Sequence, residues 1–105
     1  MIGTILNSFT VVDHFMASGN NIGINLVGNH TSGGELAIVD SVMAQNASDG
    51  LLNGMAGFST PTSRLAGSVA IGNGVGVLNA EGTVFSYGDN EIDSVQGTLT
   101  PLAKK

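Results

Sequence analysis

Apolar residues occur along this chain in short runs, and each run is closed by a cluster of Gly, Asn, Asp or Ser. The runs cover residues 2–6, 9–16, 22–27, 35–43, 65–71, 75–79, 82–87 and 91–99. Between them lie Gly19-Asn20-Asn21, Gly28-Asn29-His30, Ser32-Gly33-Gly34, Gly72-Asn73-Gly74, Ala80-Glu81-Gly82 and Gly88-Asp89-Asn90. Gly, Asn and Asp tolerate positive φ and so end extended segments. A turn signal about every eight to twelve residues marks an all-β domain. The pattern predicts a single small antiparallel sandwich or barrel-like domain of about eight short strands.

Inside the runs the period is two. Val69 and Ile71 alternate with Ser68, Ala70 and Gly72, while Thr83, Phe85 and Tyr87 share one face. Asn73-Gly74 is the strongest two-residue hairpin signal in the chain, so residues 65–87 read as a β-meander. Residues 35–46 support two readings. Leu36, Val39, Val42 and Met43 fall at helical spacing, and Ser32 with Glu35 resembles a capping box. Read as a strand, Leu36, Ile38 and Val42 share a face that Asp40 interrupts. One short helix here is the main architectural alternative. Residues 49–64 predict a loop or a helical turn crossing one end of the sheet, and Pro61 and Pro101 sit where a strand ends or an edge lies. No repeat of fixed period is evident.

A chain of 105 residues predicts one domain, 1–105, with one core. Its aromatics are four Phe and one Tyr, so Val, Ile, Leu, Ala and Met must fill that core. There is no cysteine, which removes disulfides, thiolate metal sites and cysteine nucleophiles. Three basic residues, Arg64, Lys104 and Lys105, stand against eight acids. That balance argues against nucleic acid and against an anionic membrane surface. No apolar run reaches the ~20 residues of a membrane helix, and Asn7 breaks the only candidate for a leader. An acidic, Gly- and Asn-rich composition fits an extracellular or cell-surface protein exported without a leader; a cytoplasmic or virion location is the alternative.

Candidate chemistry is thin. Asp13-His14 and His30 carry the imidazoles, and a site built from His14 and His30 with Asp13 or Asp40 has the ligand types for a metal. The competing reading leaves both histidines on the surface or in turns. No Gly-x-Ser-x-Gly elbow is present, and no residue is singled out as catalytic, so the chain reads as no enzyme. Asp89, Glu91 and Asp93 occupy alternate positions after Gly88 and would offer three carboxylates on one strand face to a calcium ion, or form a solvated acidic surface. Gly72-Asn73-Gly74-Val75-Gly76 lacks the Lys-Ser/Thr ending of a phosphate loop, and no cofactor is implied. Asn29 and Asn46 begin glycosylation triplets.

The seven residues Ser68-Val69-Ala70-Ile71-Gly72-Asn73-Gly74 resemble the head repeats of trimeric autotransporter adhesins. They cover under a tenth of the chain. A second copy about fourteen residues on would fall near Gly82-Thr83-Val84-Phe85-Ser86, which does not match, and nothing of that family is carried to this chain.

What remains is an absence on the strands themselves. Folded β-proteins guard exposed edges with Lys, Pro or inward charges, and here no base lies on any of the predicted runs. The pattern predicts a self-assembling structural protein, a subunit of an extracellular filament, fibre or surface coat joined by strand addition between copies. Residues 1–17 are the candidate exchanged strand, with Ile2, Ile5, Leu6, Phe9, Val11 and Phe15 as its assembly residues and Ser18-Gly19-Asn20-Asn21 as the hinge. The partner is then a further copy of the chain, in a homo-oligomer or polymer, with no membrane insertion. A closed β-barrel holding an apolar ligand or acting as a small enzyme, with Asp13, His14 or Tyr87 as polar contacts, is the competing class. A small virion or shell protein is the third.

Overall fold

In the computed structural model of the chain, residues 2–5, 9–27, 35–54 and 60–102 are described. The strands are β1 (Ile2–Ile5), β2 (Phe9–Asp13), β3 (Met16–Ser18), β4 (Ile22–Val27), β5 (Glu35–Val39), β6 (Val42–Ala44) and β7 (Asp49–Asn53). They continue with β8 (Thr62–Ala66), β9 (Val69–Ile71), β10 (Val75–Asn79), β11 (Thr83–Tyr87), β12 (Glu91–Ile92), β13 (Val95–Gln96) and β14 (Thr100–Leu102). No helix is present among the described residues.

Consecutive strands do not pair. β1, β4, β7, β10 and β13 form one sheet in that order; β2, β5, β8, β11 and β14 form a second; β3, β6, β9 and β12 form a third. Every pairing is parallel. The chain therefore winds as a three-sided coil, a parallel β-helix in which each turn lays one strand on each face. This corrects the antiparallel sandwich or barrel. The meander over 65–87 is instead β8 to β11 passing round successive faces. The helix considered over 35–46 is β5 and β6, separated by a corner at Asp40. The loop assigned to residues 49–64 contains β7, the middle strand of its sheet.

Register stacks like on like. Ile24, Leu51 and Val77 lie one above another, as do Val12, Ile38 and Leu65, and Ala17, Met43 and Ala70. All are buried, in one cluster with Leu26, Leu36 and Val84 for all but Ala17. Burying a large apolar side chain contributes about 1.5–3 kcal/mol, and these stacks are the main apolar stabilisation.

The corners are polar, because each must satisfy backbone groups where the ladders stop. Between the second and third faces, His14, Asp40 and Gly67 take positive φ (53, 49 and 57°) and turn the chain. The next residue then points inward: Ser41 Oγ accepts from the Phe15 amide, Ser68 Oγ from the Ser41 amide, and Asn90 Oδ1 from the Ser68 amide. Between the third and first faces an asparagine ladder does the same work. Asn46 Oδ1 accepts from the Asn20 amide (3.1 Å) and Asn73 Oδ1 from the Asn46 amide (2.9 Å). Asn46 Nδ2 donates to Ala17 O and Asn73 Nδ2 to Met43 O. These ladder partners are 26 and 27 residues apart. The chain does carry a repeat, and its period is one turn of the coil.

Candidate self-association edge

A coil has no free edge along its sides, only at its ends. β1, β2 and β3 each stand at an end of their sheet's strand order, as do β12, β13 and β14. The two ends differ. β12 and β13 have two residues each, and β14 contains Pro101, which has no amide hydrogen to offer a further strand. β1, β2 and β3 have four, five and three residues and contain no Lys, Arg or Pro; their one charge, Asp13, ends β2. Short strands and prolines are the usual guards of an edge, so the β12–β14 end is blunted and the β1–β3 end is not.

The sequence-derived assembly residues map onto this end. Ile2 and Ile5 lie on β1, Phe9 and Val11 on β2, and Phe15 on the corner after it, half-buried against the core. Leu6 lies outside the described residues. Val11 is 56% and Met16 67% exposed, the largest values among the exposed large hydrophobics. In the single chain the strands of this region pair within their own coil: β1 with β4, β2 with β5 and β3 with β6. Its inner edge is occupied, and among the described residues no strand pairs with its outer edge.

The remaining candidates separate. Asp13, His14 and Asp40 come together on an exposed corner, with His14 Nδ1 2.6 Å from Asp13 Oδ1 and Nε2 3.9 Å from Asp40 Oδ2. They are the one His/carboxylate group among the described residues whose ligand atoms converge. His30 and Asn29 lie outside the described residues. Asp89, Glu91 and Asp93 do not converge. Asp89 Oδ1 accepts from the Gly67 amide (2.9 Å) and Asp93 Oδ2 from the Gly72 amide (2.8 Å), so each continues a different corner. Glu91 is exposed on β12, opposite Val69. Asn46 is 2% exposed with its amide inside the ladder, where a glycan has no room. Tyr87 lies on β11, half-buried, in register with Leu102.

A barrel lumen is also ruled out as a binding site in the described coil. Its interior is filled by Ile24, Leu26, Ile38, Leu51, Leu65, Val77 and Val84, all fully buried, while Asp13 and His14 face outward from a corner. The residues that sequence reasoning missed are those that build the ladder at the corner between the third and first faces: Asn20, Asn46 and Asn73, with Gly23, Gly50 and Gly76 beside them. Their signal was the recurring pair of Asn followed three or four positions on by Gly. No helix among the described residues is long and apolar enough to cross a membrane. No family model matches the chain, and neither a curated protein nor a solved structure matches it.

Proposed function

We propose that the chain is a self-assembling structural subunit, and that copies associate by strand addition at the outer edge of β1, β2 and β3. The observation that carries this reading is the difference, among the described residues, between the two ends of the coil: one carries Pro101 and two strands of two residues, the other strands of three to five residues with no Lys, Arg or Pro. Backbone donors and acceptors along an edge favour pairing with another strand, and an edge without deterrents makes that pairing specific to shape alone. A three-sided end is matched in full by another three-sided end of the same cross-section, and a second copy of this chain supplies one. An extracellular or cell-surface setting is the one this reading favours, since the acidic, cysteine-free composition suits it.

Val11→Lys restores the missing guard. Val11 is exposed, so the substitution leaves the core intact. The expected result is a folded protein whose self-association, measured by sedimentation equilibrium, is weakened at least about tenfold. A wild-type chain that stays monomeric up to millimolar concentration contradicts the reading, as does unchanged association in the Lys variant.

A further inference from the structure

Resting on that reading, we propose that the β1–β3 edges of two copies meet each other about a two-fold axis, so that the contact closes as a dimer and does not propagate. The alternative is head-to-tail stacking, in which the β1–β3 end of one copy sits on the β12–β14 end of the next. Such a heterologous contact would repeat into an open polymer. It would also lay five-residue β2 or its neighbours on strands of two or three residues, one of them lacking the Pro101 amide hydrogen. Joining two β1–β3 ends avoids both losses.

The geometry of a three-sided coil then restricts the partners. A two-fold axis perpendicular to the coil maps one face onto itself, exchanges the other two, and makes every facing pair of strands antiparallel. Placing the axis on the second face pairs β2 with its own copy and β1 with the other copy's β3. That choice self-pairs the longest of the three strands. Val11, at the centre of β2, meets the second copy's Val11, and the pair removes from water a side chain that is 56% exposed in one copy. Asp13 falls opposite Phe9, four residues away along the antiparallel partner, and not opposite the other Asp13. Like charges directly across a ladder are thereby avoided.

The chain contains no cysteine, so single-cysteine variants report the contact cleanly. Residues directly opposite in antiparallel strands have Cα atoms about 4.5–5.5 Å apart, within the span a disulfide bridges. Val11→Cys is expected to oxidise to a covalent dimer in high yield at protein concentrations where the wild type associates. Val95→Cys, on β13 and 44% exposed, is expected to remain uncrosslinked. Light scattering of the wild type should rise with concentration to twice the monomer mass and stop. Growth beyond the dimer, reversed by Val95→Lys, overturns the two-fold contact while leaving self-association standing. A monomer at every concentration overturns both.

Discussion

Gly50→Val is expected to leave the chain largely unfolded. Gly50 lies on β7, between Gly23 on β4 and Gly76 on β10, in the register that stacks Ile24, Leu51 and Val77 beside them. A Cβ at Gly50 would stand 2.5 Å from the Gly76 carbonyl oxygen and 2.8 Å from Asn73 Nδ2. At Gly23 it would meet the Gly50 oxygen at 2.7 Å and Asn46 Nδ2 at 2.9 Å. These glycines make room for the asparagine ladder, and the nearest obstacle is backbone, which cannot swing aside. Overpacking of a filled interior costs about 1–3 kcal/mol, and displacing Asn73 from its bonds adds about 1–3 kcal/mol. Together they consume a large part of the ~5–15 kcal/mol that holds a domain folded. A urea titration followed by far-UV circular dichroism checks this: the expected midpoint is near zero denaturant, with Gly50→Ala in between. A midpoint equal to that of the wild type would remove the glycine stack from the account.

Asn53→Leu carries the second largest effect and isolates the hydrogen bonds. Asn53 is fully buried at the end of β7. Its Nδ2 lies within donating distance of Pro61 O (3.2 Å), Asn79 Oδ1 (3.1 Å) and Glu81 O (3.1 Å), and its two hydrogens are shared among them. Its Oδ1 accepts from Ser63 Oγ at 2.6 Å. One turn away the same position is Leu26, also fully buried, so leucine fits the volume. The loss therefore falls on the stranded partners and should be about 2–4 kcal/mol by urea denaturation. Adding Ser63→Ala removes one of those partners, and the double variant is expected to regain about 1 kcal/mol. Equal stability of single and double variants would mean that the Ser63 hydroxyl costs nothing when left without its acceptor.

Extended segments are legible in the sequence over most of the chain because period two and turn chemistry are local properties, but β7 and the start of β8 fall where the pattern predicts a loop. Pairing is not legible, since parallel and antiparallel strands share the same alternation of faces. Asn73-Gly74 shows the difficulty. The pair suits a hairpin turn, but in the fold Gly72 takes the positive φ of 68° and Asn73 turns its side chain inward to the ladder. The repeat was hidden by two irregularities. Asn20 and Asn73 precede their glycines by three residues, whereas Asn46 precedes Gly50 by four. The connections after the first face also differ in length, from 80–82 after β10 to 54–61 after β7. Residues 35–46 admit a helical reading beside the strand because a corner at Asp40 shifts the inward positions from Leu36 and Ile38 to Ser41 and Met43, which imitates a longer period. The absence of guards on Ile2, Ile5 and Val11 could be seen directly. Their position at one end of a coil could not, because it follows from how turns stack. Alternation puts Asp89, Glu91 and Asp93 on one strand face, but Asp89 and Asp93 stand on either side of β12 and bond the amides of different corners, Gly67 and Gly72.

In the proposed contact, backbone groups along the outer edge of β2 are covered by another copy. Amide hydrogen exchange across a concentration series measures that covering at the groups themselves. Amides of β1, β2 and β3 that face away from β4, β5 and β6 are expected to gain protection as concentration rises, while those of β7 and β8 stay constant. Val11→Lys should abolish the gain. Exchange in β1–β3 that is fast and identical at micromolar and millimolar protein would contradict the claim.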